Sequence, residues 1–92
     1  MKLCFKVKEF RKGKNLTVRK GNYWMNKKAS NFDIIKTISC RFRDIPRDLL
    51  KYEHDAKCRN YDGLLREMKH IYKGFTANHI VTLVFFRQKN AA

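Results

Sequence analysis

This chain of 92 residues is poor in several things. Proline occurs once and glycine four times, which excludes collagen-like repeats and linker-rich architecture. Cysteine occurs three times, as Cys4, Cys40 and Cys58. An odd number with no C-x-x-C spacing argues against a disulfide framework and predicts a reducing cytoplasm. Acids are scarce: eight Asp and Glu stand against 22 Lys and Arg, for a net charge of +14. No apolar run is long enough for a transmembrane helix. The first residues meet charge at Lys2 and Lys6, so no signal-peptide core is expected. No internal repeat or low-complexity segment is visible.

What is present is the material of a core. The chain is 43% hydrophobic and 13% aromatic, more than a disordered basic tail carries. Its length predicts a single domain over 1–92, too short for a doubly wound sheet with a cofactor domain, and no cofactor is expected. The charge is uneven. Residues 1–47 carry nine Lys and five Arg against Glu9, Asp33 and Asp44, a net +11, and the rest of the chain carries +3. A basic half on a globular domain is the electrostatic footprint of a polyanion partner. No stretch joins a basic face to a long clean apolar face, so a membrane surface is not the expected partner.

Periodicity gives the elements. Leu3 to Phe5 reads as a short strand, and Val7 to Lys12 as one or two helical turns stopped by Gly13. Leu16 to Arg19 alternate apolar and polar, as a half-buried strand does. Tyr23 to Met25 begin another short strand after a turn at Gly21-Asn22, and Lys27 to Asn31 form a loop. Ile34 to Arg43 is the clearest amphipathic strand, with Ile34, Ile38, Cys40 and Phe42 on one face. Pro46 opens a helix through Leu49, Leu50 and Glu53. Asn60 caps a second helix whose apolar stripe is Tyr61, Leu64, Leu65, Met68, Ile71 and Tyr72, closed by Gly74. Ile80 to Phe86 is almost wholly apolar and predicts a strand buried on both faces. The order predicts a small α+β barrel or sheet.

Three groups of residues carry chemistry. Thr17 and Arg19, two apart on a strand, share a face, and a bend after Gly13 would swing Lys14 toward them. Glu53 lies on the side of its helix that Leu49 and Leu50 bury. A buried carboxylate needs a partner, and Lys14 or Arg19 would supply one. Tyr23 and Trp24 sit among Lys20, Lys27 and Lys28, an aromatic and cationic mixture suited to stacking bases and tracking phosphates; Trp24 also reads as core. His54 and Cys58 have the spacing of metal ligands on one helical face. Zinc sites usually carry two close pairs, so small half-buried thiols and no metal are expected.

The string Phe10, Gly13-Lys14, Thr17, Arg19 resembles the N-terminal signature of ASCH domains, a branch of the PUA-like superfamily. Asp44-Ile45-Pro46, Leu49-Leu50, Glu53-His54, Leu64-Leu65, Met68, Tyr72, Gly74-Phe75 and Val81-Thr82 to Phe85 resemble the family's C-terminal half. The resemblance covers nearly the whole chain in order. It implies a mixed β-barrel or sheet of five or six strands, with two helices before the last strand and a cleft for RNA or a nucleoside. Some bacterial members are acetylcytidine amidohydrolases that use a Lys, a Thr and a Glu. Those roles fall on Lys14, Thr17 and Glu53, with Asp55 the alternative acid, and Arg19 becomes a phosphate or carbonyl contact. The chain departs from that pattern in being far more basic than a nucleoside hydrolase needs and in its short middle loop.

Three functions follow as expectations. The first is a module that binds RNA or single-stranded nucleic acid through residues 6–28 with Arg41 and Arg43; its contact set is Lys12, Lys14, Arg19, Lys20, Tyr23, Lys27, Lys28, Arg41 and Arg43. The second is an amidohydrolase acting on an acylated nucleoside, with Thr17 as nucleophile, Lys14 as base and Glu53 as acid/base. The third is a protein-interaction domain that docks an acidic partner.

Overall fold

The computed structural model describes residues 2–5 and 10–89. Three strands form one antiparallel sheet: β1 (Asn15–Lys20), β2 (Phe32–Arg41) and β3 (Ile80–Gln88), in the order β1-β3-β2. One α-helix, α1 (Tyr61–Ile71), and a 3-10 helix over Arg47–Tyr52 precede the last strand. Single 3-10 turns lie at Phe42–Asp44 and Ala56–Cys58. The α+β class and the two helical segments before the closing strand match the reading of the sequence. The described residues hold three strands rather than five or six.

The central strand explains the core. Val81 to Phe86 are all fully buried, because β3 is paired on both edges and covered on both faces. Side chains alternate across a strand, so β3 feeds two clusters. Leu83 and Phe85 join Leu16 and Val18 on one face, under Phe42, Leu50, Leu64 and Met68. Val84 and Phe86 join Leu3 and Trp24 on the other, flanked by Phe5, Phe10, Phe32 and Ile34.

Ile34 therefore does not share a face with Cys40. A bulge between Ile34 and Lys36 inserts one residue into β2, and one extra residue reverses the alternation. Ile34 packs in the second cluster and Cys40 against the first.

Two short strands expected near the N-terminus are other things. The backbone of Leu3 is held by the Asn31 side chain, whose Oδ1 accepts from Leu3 N–H at 3.1 Å and whose Nδ2 donates to the Leu3 carbonyl at 2.9 Å. That amide does the work of a ladder partner. Tyr23 to Met25 lie in consecutive turns, in which Met25 N–H donates to Asn22 and Lys27 N–H to Trp24. The helical turn expected over Val7 to Lys12 lies partly outside the described residues. Its end is not helical, since the Asn15 side chain clamps both backbone groups of Arg11 at 2.7 and 3.0 Å.

Helix α1 begins as its sequence dictates. Asn60 Oδ1 accepts from Gly63 N–H at 2.8 Å, the N-cap bond. Gly63 has no substitute here: a Cβ would stand 2.0 Å from the Lys57 carbonyl oxygen. Gly74 follows the helix at φ +78°, where side chains are strained. No helix among the described residues is long and apolar enough to cross a membrane.

Candidate functional site

A cavity of about 340 Å³ opens along the outer edge of β1. Cys4 and Phe5 wall one side, and Leu64, Met68 and Tyr72 of α1 wall another. Its polar lining comes from Thr17 and Arg19 of β1, from the segment Glu53, His54 and Asp55, and from Glu67.

The edge of β1 is what gives the cavity its backbone. Gly21 N–H donates to Ile80, so odd-numbered residues of β1 turn their backbone groups toward β3. The Leu16 carbonyl instead accepts from His54 N–H at 3.0 Å, and Leu16 bridges Glu53 in parallel. Val18 is two residues further on, so its N–H and C=O face the same way as those of Leu16, away from β3 on the cavity side.

Glu53 sits where the chain leaves the 3-10 helix over Arg47–Tyr52, as its C-cap. It is 2% exposed, as its place beside the leucines led us to expect. Its partner is not Lys14. Glu53 Oε1 lies 2.5 Å from His54 Nδ1 and accepts from Asp55 N–H at 3.3 Å. Oε2 is buried with no hydrogen-bond partner. His54 Nδ1 also lies 3.1 Å from the Leu16 carbonyl. Both neighbours are acceptors, so Nδ1 carries the proton. The ring stands edge-on to Phe5 at 4.7 Å between centroids.

The pair is electrostatically coupled. Burial raises the Glu53 carboxyl above its ordinary range, and the bond and charge of His54 oppose that rise only in part. Burial would lower His54, but the Glu53 bond and charge, the Leu16 carbonyl and Asp55 together carry it upward. Burial first, then the charges of Glu53, Asp55 and Glu67, push the Cys58 thiol up to about 12. Cys58 is thus a protonated, buried thiol rather than a nucleophile. Among the described residues no three His, Cys, Asp or Glu are grouped to hold a metal ion.

Both His54 and Glu53 titrate above their ordinary values. The stability His54 contributes is fully present below its ordinary value of ~6.5 and is lost as pH rises through its raised value, whereas that of Glu53 is fully present only below the ordinary carboxylate value of ~4.3 and is lost through its own raised value. The melting temperature is therefore expected to fall across a window that starts near the ordinary His value of ~6.5 and runs up through the raised one. His54→Gln should flatten this part of the profile, which thermal denaturation across the window measures. A wild-type melting temperature level over that range contradicts the coupling.

Thr17 and Arg19 do share a face. Arg19 Nε donates to Thr17 Oγ1 at 3.2 Å, its Nη2 donates to the Cys4 carbonyl at 2.8 Å, and its guanidinium covers the Phe5 ring. Burial lowers the Arg19 pKa from its usual value. Lys14 is elsewhere. Its Nζ lies 4.3 Å from the Tyr52 ring centroid and 5.4 Å from that of Phe85. The reason is strand parity: Lys14 falls with Leu16 and Val18, not with Thr17 and Arg19, and the bend at Gly13 does not reverse it. Thr17 and Glu53 line one cavity, as does Asp55, and Lys14 does not line it.

The cations proposed for nucleic acid divide into groups. Lys12, Lys20, Lys27, Lys28, Arg41 and Arg43 are exposed. Lys20 and Arg41 flank the start of β3, against Val81 and Ile80. Tyr23 is 60% exposed with Lys27 Nζ 5.1 Å from its ring centroid, whereas Trp24 is buried in the second cluster. Sequence reasoning passed over Tyr52, whose ring gathers Arg11, Lys14 and Lys51 within 5.3 Å. It also treated His54 only as a metal ligand; its adjacency to a carboxylate expected to be buried was the available signal. No protein-family model, curated protein or solved structure matches this chain.

Proposed function

We propose that this chain is a cytoplasmic domain that binds RNA or single-stranded nucleic acid, of the PUA-like, ASCH type its motifs resemble. One observation carries the reading. Among the described residues, Lys57 is the only Lys or Arg with a carboxylate in ion-pair distance, meeting Asp55 at 3.9 Å and Glu67 at 3.8 Å. In a chain of net charge +14, every Lys and Arg among the described residues except Arg11, Lys14 and Arg19 is exposed and available to phosphates. Tyr23, exposed beside Lys27, supplies a stacking face among them. The free thiols Cys4, Cys40 and Cys58 support a reducing compartment.

Tyr23→Ala tests the stacking face directly. Loss of one base–aromatic stack, ~1–3 kcal/mol, should weaken binding of a mixed single-stranded RNA by roughly five- to 150-fold. The side chain is exposed, so the melting temperature should stay where it is. Unchanged affinity measured by anisotropy removes Tyr23 from the interface.

A second reading has one observation in its favour: Thr17 and Glu53 line one cavity together with His54. Amide hydrolysis on an acylated nucleoside would use Thr17 as nucleophile, with the base drawn from the Glu53–His54 pair in place of Lys14. Turnover of acetylcytidine that disappears in Thr17→Ala would establish it, and absence of turnover in the wild type leaves the binding module.

A further inference from the structure

The surplus of cations does not explain where the acids are. Of eight Asp and Glu in the chain, Glu53, Asp55 and Glu67 all line one cavity. Lys57 partners Asp55 and Glu67. Among the described residues, the Glu53 carboxylate has no lysine or arginine in ion-pair distance; Arg59 donates instead to the Glu53 backbone carbonyl, at 2.8 Å. Its Oε1 is engaged by His54 and by the Asp55 N–H, and its Oε2 is buried and unpartnered. A buried acceptor without a donor is costly to the fold, and a ligand N–H would remove that cost.

The surroundings define the ligand. Leu64, Met68, Tyr72 and Phe5 give apolar walls, and the space of about 340 Å³ takes a flat heterocycle with its sugar. The carboxylate is acceptor-only. Among the four RNA bases, guanine alone sets two N–H donors side by side, at N1 and at the exocyclic amine. Adenine and cytosine place an acceptor nitrogen beside the amine, and uracil flanks its single imino N–H with two carbonyls; those lone pairs are repelled by a carboxylate. Arg19, on the same cavity, adds a cation for the phosphate of the nucleotide so held.

We propose that this cavity is a guanine pocket, in which Glu53, through its unpartnered Oε2, accepts from the N1–H and N2–H edge of an unstacked guanine presented by a single strand. The proposal rests on the nucleic-acid reading and deepens it, because it assigns base selection to an acidic cavity and phosphate tracking to the basic surface.

The test compares three oligonucleotides at one low salt concentration: oligo-uridine, the same strand with one guanine, and the same strand with inosine, which lacks only the exocyclic amine. The guanine strand should bind roughly tenfold to a hundredfold tighter than oligo-uridine. Inosine should lose most of that margin, and Glu53→Gln should erase it. The inosine arm uses the unaltered protein, so it stands even if the variant folds poorly. Equal binding of guanine and uridine strands, or of guanine and inosine strands, overturns the pocket while leaving the binding module intact. Preference for an arginine-rich peptide over every strand would give the cavity to a protein side chain and also overturn it. Failure of all three strands to bind refutes the underlying nucleic-acid reading instead.

Discussion

Raising salt from about 50 to about 200 mM should weaken binding of a mixed single-stranded RNA roughly 60-fold. Each neutralised phosphate releases condensed counterions, and for single strands log K falls with log salt at about −0.7 per contact. Four or five contacts give a slope near roughly −3. The exposed cations Lys12, Lys20, Lys27, Lys28, Arg41 and Arg43 supply that many without the half-buried Lys14 or Arg19. No carboxylate in ion-pair distance competes for any of them among the described residues. Reversing two neighbours, Lys27→Glu with Lys28→Glu, should make the slope shallower by at least ~1.4, two contacts' worth. A slope near zero, or the same slope in the double variant, contradicts a phosphate interface there. Salt-sensitive binding to an acidic protein with none to oligonucleotides would support the protein-docking reading instead.

The elements that could be read from the sequence are those whose signal is local. Leu16 to Arg19 alternate and form β1; Ile80 to Phe86 are apolar and fill the centre of the sheet; Asn60 caps α1. Where the reading failed, the deciding partner lay far along the chain. Leu3 is satisfied by Asn31, 28 residues away, so a strand-like run needs no strand. Aromatic content favoured a strand at Tyr23 to Met25, but only Trp24 of the three is buried and Asn26 takes φ 57°, which suits a turn. The bulge at Ile35 leaves no compositional mark, yet it decides which face Ile34 joins. The site divides in the same manner. The pairing of Thr17 with Arg19, and the burial of Glu53, follow from period and from neighbouring leucines. The partner of Glu53 does not, because a carboxylate in a cation-rich chain has many possible partners and only the bridge from Leu16 to Glu53 brings His54 round to Oε1.

Phe86→Ala should lower the unfolding free energy by about 3–5 kcal/mol. That is a large share of the ~5–15 kcal/mol that holds a domain folded. The cost is high because of what covers the second face of the sheet. The first face has α1 and the 3-10 helix over Arg47–Tyr52. The second has loops and turns, fastened by rings. Phe86 is fully buried and stacks on Phe5 at 5.1 Å, meets Phe32 edge-on at 5.1 Å and Phe10 at 5.9 Å. An alanine leaves those rings without their common neighbour, and of the three only Phe32 is carried by a strand; Phe5 and Phe10 lie on segments outside helix and strand and bring no rigid element to close the gap. Phe5 is also a wall of the cavity, so its release should dissolve the site before the domain unfolds. Phe42→Ala is the control. Phe42 is equally buried, but it packs against Tyr61 and Phe75 on the first face. Denaturant titration should show similar losses for both variants, while hydrogen exchange at the Leu3 to Phe5 amides should accelerate under native conditions in Phe86→Ala alone. A loss below about 1.5 kcal/mol, or equal acceleration in Phe42→Ala, would mean that the N-terminal segment is held by something other than the ring cluster. The Asn31 clamp on Leu3 and the Arg19 bond to the Cys4 carbonyl would then be its fastenings, and Asn31→Ala would be the variant that opens the cavity.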